Sequence, residues 1–239
     1  MDLPTWLSLT AIVLLVISLS AYLSWLGRRR LQLLANRPVM ASAHGVTLAR
    51  TLLSLAGLPE LPIASTSWRQ ADRYEFAGRR LVFSTETCWQ PSVAGLAIVA
   101  HEIGHAEQHL THYLPQRLHR SLASLSYACL ALAPILSIMA LIVGQLHLFA
   151  VTLTLVAPGF LAYLLLLVIE NDASRRGMRL LRLSHQVTSD DCQQAQSFLD
   201  AAMLTYLIWP LLMAGRLFYF ALISIGDAPA MRRAEPARG

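Results

Sequence analysis

Four apolar runs, at 5–26, 122–143, 146–169 and 201–225, limit what this chain can fold into. Each is close to the roughly 20 residues that a helix needs to cross a hydrocarbon core of about 30 Å. They raise the hydrophobic share of the 239 residues to 55% and leave 14% charged, against about 25% in an ordinary soluble domain. The pattern predicts a mainly α, polytopic membrane protein: a helical transmembrane bundle with one small polar lobe.

The first run has no positive charge before it and is followed directly by Arg28, Arg29 and Arg30. A secretory signal has the opposite layout, so the run reads as an uncleaved anchor. Arginines are held on the cytoplasmic side, which puts the N-terminus outside. The runs 122–143 and 146–169 are so close that they must form an antiparallel hairpin. Arg117 and Arg120 precede that pair and Arg175, Arg176, Arg179 and Arg182 follow it, so both ends are expected in the cytoplasm. The fourth run is interrupted by Pro210 and Arg216 and either spans or re-enters. The segments 27–120 and 171–200 then form the cytoplasmic part of a single domain.

All nineteen basic residues are arginine, and the net charge is +5. That balance suits an anionic lipid surface; no nucleic-acid motif accompanies it. Cys88, Cys129 and Cys192 are odd in number and widely spaced, so neither a disulfide framework nor a cysteine zinc site is expected.

The chemistry points to His101-Glu102-Ile103-Gly104-His105. Ser92 is a plausible N-cap for a helix that carries this stretch. Histidines four apart share one helix face and can both reach one zinc at about 2.0–2.1 Å. Glu102, after the first histidine, can act as general base on a water there. Gly104 costs a helix about 1 kcal/mol against alanine, which implies close approach of another backbone. Upstream, Tyr74-Glu75-Phe76 and Arg79 to Ser84 read as a small β-hairpin. Its second strand, Leu81, Val82 and Phe83, is either a strand that pairs with extended substrate or an ordinary core strand.

A catalytic zinc needs a third protein ligand. His109 lies about 12 Å along the helix from His101, and His112 misses the metzincin spacing by one residue. Downstream of Glu107 the next carboxylate is Glu170. A tight hairpin of spans would return it to the histidine pair, and ionisable groups at membrane depth are by default functional. Asp172 and His185 are the alternatives; Asp172 can instead accept a hydrogen bond from a ligand imidazole. Tyr206, His185, Arg175 and Arg176 are candidate donors to a tetrahedral oxyanion.

The segments "LAIVAHEIGHAEQH", "VIENDASRR", "AAMLTYL" and "DRYEFAGRRLVFS" resemble the YugP-type neutral zinc metallopeptidases of bacterial membranes. The resemblance implies one zinc held by His101, His105 and Glu170, with Glu102 as base. Related membrane peptidases have an aspartate four residues after the ligand glutamate; here that position is Ser174.

The expectation is a multi-pass zinc endopeptidase of the bacterial cytoplasmic membrane. Its site would face the cytoplasm and cleave membrane or membrane-proximal proteins. A proteolytically inactive scaffold that retains a structural zinc is the alternative. A zinc transporter fits less well, since it would want ionisable ligands inside the spans.

Overall fold

The computed structural model describes residues 3–39, 45–68, 72–143, 147–208, 211 and 215. The chain divides into two compact units. One consists of Met1–Leu23, Leu118–Leu165 and Leu207–Gly239, the other of Ser24–Arg117 and Leu166–Tyr206.

The second unit carries the polar chemistry. Its first complete helix, α2 (Gly45–Leu55; the long α1, Leu3–Ala35, precedes it), buries Leu48, Ala49, Leu52 and Leu53. These lie at the three- and four-residue spacing of one apolar helix face. The helix stops at Gly57, whose φ is 75°. Leu58 N donates to Leu53 O at 2.8 Å and Gly57 N to Ser54 O at 3.1 Å, a glycine C-cap that pairs the last carbonyls.

A three-stranded sheet follows: β1 (Ile63–Thr66), β2 (Arg73–Glu75) and β3 (Arg80–Ser84). The order is β1-β3-β2, with β1 parallel and β2 antiparallel to β3. Leu81, Val82 and Phe83 therefore lie buried in the central strand, where Leu81 and Val82 pair on both sides and Phe83 pairs with Ser65 of β1. A strand with both edges taken cannot add another, so these residues are core rather than a substrate-pairing edge. The edges of the sheet are β1 and β2.

Ser84 ends β3 and caps the short α3 (Thr85–Trp89). Its N–H donates to Asp72 Oδ1 at 2.7 Å, which ties the strand end to the start of β2. Helix α4 (Val93–Leu110) starts at Ser92, whose Oγ accepts from Gly95 N at 3.1 Å. The unit also contains the start of α5 (Leu114–Val143), the end of α6 (His147–Leu183), and α7 (Ser189–Tyr206). Thr188 and Asp191 cap α7 reciprocally, which satisfies two otherwise open groups.

In the first unit α5 and α6 run beside each other. Ser126 Oγ, which donates to Leu122 O at 2.8 Å, also lies 3.4 Å from Pro158 O, and His119 Nδ1 lies 3.0 Å from Ala162 O.

The described residues do not form the expected four-span polytopic bundle. One stretch among them, Thr154–Leu183, is long and apolar enough to cross a membrane. α1 continues past the first apolar run through Arg28–Arg30 to Ala35, and α5 starts before the second run and carries Arg117 and Arg120. The run that begins at Ala201 supplies the end of α7, whose first turn holds Asp190 and Asp191; most of its remainder, with Pro210 and Arg216, lies outside the described residues. Apolar runs mark where hydrophobic side chains cluster, whereas caps and breakers set where helices begin and end. The described residues are mainly helical, with a small three-stranded sheet and one candidate span.

Candidate metal centre

Helices α4 and α6 cross at two glycines. A β-carbon on Gly104 would overlap the carbonyl of Ala173, and one on Gly177 would overlap the carbonyl of Ala100. Only hydrogen at both positions allows so close a crossing. It sets the end of α6 beside the histidine face of α4.

Three side chains converge there. His101 Nε2 lies 3.1 Å from Glu170 Oε2 and 3.1 Å from His105 Nε2, and His105 Nε2 lies 3.6 Å from Glu170 Oε1. His105 and Glu170 are buried and His101 partly so. Among the described residues this trio is the one group of three or more such side chains whose donor atoms could hold a metal ion.

The donor set fits zinc. Ligand atoms at about 2.0–2.1 Å from a tetrahedral zinc lie about 3.3 Å apart, and the observed separations bracket that value. Two imidazole nitrogens face each other with a carboxylate beside them, an arrangement that a divalent cation satisfies and that a single shared proton serves poorly.

Glu102, next to His101 on the helix, reaches toward the sheet. Its Oε2 accepts the backbone N–H of Tyr74 in β2 at 2.6 Å. Burial pushes its carboxyl up, against the opposing pull of the two imidazoles and the Tyr74 N–H. A base shifted toward neutrality transfers protons more effectively at ordinary pH. For His105, burial favours the neutral ring, but the adjoining Glu170 and Glu102 carboxylates outweigh it and hold the imidazole above its ordinary value.

Each ligand ring has a partner on its far nitrogen. His101 Nδ1 lies 3.0 Å from Ser174 Oγ, and His105 Nδ1 lies 3.1 Å from Gln108 Oε1. Asp172 touches neither ring directly. It accepts from Gln108 Nε2 at 2.9 Å and from Arg176 Nε at 2.6 Å.

The candidate oxyanion donors are placed less favourably. Arg176 is engaged by Asp172 and Glu107 and stacks on Tyr113 at 5.3 Å. Arg175 is exposed. His185 lies beyond the end of α6, about 22 Å along the chain axis from Glu170 at 1.5 Å per residue, and lines a separate cavity with Arg182 and Cys192. Tyr206 closes α7, half-buried.

Sequence reasoning missed Tyr74 and Gln108. Gln108 is three residues after His105 and so shares its helix face, a signal that was available. The tie from Tyr74 is a main-chain contact, for which residue type gives no sign. His109 is no ligand: its Nδ1 lies 2.8 Å from the Tyr74 hydroxyl.

The profile of a family described as "Putative neutral zinc metallopeptidase" matches residues 9–225. A Bacillus subtilis (strain 168) protein described as "Putative membrane protease YugP" is 25% identical over 179 residues, which cover 75% of this chain and 80% of that protein. No solved structure matches the chain.

Proposed function

Because the chain belongs to the neutral zinc metallopeptidase family, we propose that it is a membrane-associated zinc endopeptidase with one zinc per chain. The observation that carries this reading is the convergence of His101, His105 and Glu170, with Glu102 on the same helix. Three protein donors leave a coordination position for water, as catalytic sites do, whereas a structural zinc fills all four with protein. This favours a hydrolase over a scaffold.

Zinc held by this trio would polarise a peptide carbonyl and make a neighbouring water acidic. The chain's own residues do the rest. Glu102 accepts the proton of the attacking water and returns it to the leaving amine. Burial keeps that carboxyl ready for the exchange. The Tyr74 N–H holds it on the sheet side of α4. With β3 interior, β2 is the edge strand nearest this base.

The substrate reading follows from α6. One helix carries the apolar stretch Thr154–Leu183 and, within that stretch, Glu170, with Arg175, Arg176, Arg179 and Arg182 toward its C-terminal end. Arginines at that end favour the cytoplasmic face. Membrane proteins or tails close to the bilayer would then reach the site first.

Metal analysis of the full chain in detergent, with cleavage of a reconstituted single-span substrate, tests this. About one zinc and cleavage abolished by a chelator and restored by zinc are expected. Cleavage that persists after the metal is stripped would overturn it.

A further inference from the structure

We infer that Gln108 is a positioning residue for the metal: it fixes the tautomer of His105, so that the ring can offer only Nε2 to the ion. The inference rests on the reading of His101, His105 and Glu170 as a zinc site.

Gln108 is fully buried. A side-chain amide can face its neighbours in two ways, and the neighbours decide which. Here the Nε2 end lies 2.9 Å from the carbonyl oxygen of Ile169 and 2.9 Å from Asp172 Oδ2. A carbonyl and a carboxylate only accept, so this end must be the donor. Asp172 is held in place by Arg176 Nε at 2.6 Å, which keeps a charged acceptor facing the amide.

The other end is then the oxygen. It lies 3.1 Å from His105 Nδ1 and 3.3 Å from Gln116 Nε2. Gln116, also buried, is a second donor aimed at the same oxygen. An amide oxygen cannot donate, so Nδ1 must carry hydrogen. The lone pair of His105 is left on Nε2, which faces His101 Nε2 and Glu170.

His101 has no such lock. Its Nδ1 meets Ser174 Oγ at 3.0 Å, and a hydroxyl both donates and accepts. His105 thus donates to Gln108 and Gln108 to Asp172, to which Arg176 also donates, while His101 keeps both tautomers open.

Zinc affinity of the full chain, measured by competition with a chelator, tests the inference, with the melting temperature of the zinc-free protein measured in parallel. Gln108→Met keeps the length and removes both ends of the amide. It is expected to weaken zinc about 10–100-fold, the usual loss when a ligand histidine loses its outer partner. Ser174→Ala is expected to cost less. Gln108→Glu sets a carboxylate against Asp172 and is expected to weaken zinc. Adding Asp172→Asn restores a donor opposite that acceptor but leaves the Ile169 carbonyl facing it, so the double variant is expected to recover part of the affinity lost in Gln108→Glu alone. Wild-type zinc affinity in Gln108→Met, or no recovery in the double variant, would overturn the inference. If the wild-type chain binds no zinc, the metal site itself is refuted, a result separate from either of these.

Discussion

A β-carbon on Gly104 would overlap the carbonyl of Ala173 on the neighbouring helix. The ligand pair on α4 and the acid on α6 owe their proximity to this contact and to its counterpart, in which Gly177 meets Ala100.

Alanine at either glycine should therefore damage the centre. In a free helix the change would gain about 1 kcal/mol. Overpacking costs about 1–3 kcal/mol, and here the obstacle is backbone that cannot rotate away. Gly104→Ala and Gly177→Ala should lower thermal stability and zinc content together. A variant more stable than wild type with full zinc would show that the crossing is looser than described.

Glu102→Gln should separate binding from chemistry. Glu102 lies outside the metal trio, so zinc content should stay near that of wild type. Loss of a positioned proton carrier should slow peptide cleavage by about 10²–10⁴-fold. Elemental analysis beside a fluorogenic peptide assay reads both quantities in one preparation.

Glu170→Gln should do the reverse at the first step. An amide is nearly isosteric but a poor zinc ligand, and two imidazoles remain. Zinc affinity should fall by more than the roughly 10–100-fold typical of an outer partner, and cleavage should fall with it. Isothermal titration with zinc would show this directly, and unchanged binding would remove Glu170 from the site.

Asp72→Ala should act on the fold alone. Its carboxylate takes the N–H of Ser84 at 2.7 Å, and Ser84 is buried. A donor left unsatisfied there costs about 1–3 kcal/mol. Urea denaturation should show that loss, while zinc bound per folded chain stays as in wild type.

Much of the centre was legible in the sequence because helix periodicity is local. The spacing of His101 and His105 determines their shared face without any tertiary information, and Gly104 stood out as a costly residue in a good helix. Glu170 was reached by a different route, as the next carboxylate downstream. The hairpin was legible from its turn residues, but not the parallel partner β1, whose pairing with β3 joins residues 18 apart. For the same reason the role of Leu81, Val82 and Phe83 stayed open: pattern shows that a strand is apolar, not which of its edges are occupied. The apolar runs did not give the helix ends, since α1 and α5 extend beyond theirs into arginines.

The contact from Tyr74 to Glu102 is made by main chain, not side chain. Nineteen of the twenty residue types carry that N–H, so mutation at this position can change the ring's packing yet hardly touch the tether on the base. Only proline, or a shift of the whole strand, would cut it. The atoms aimed at the metal have no such insurance, since each hangs on a single codon.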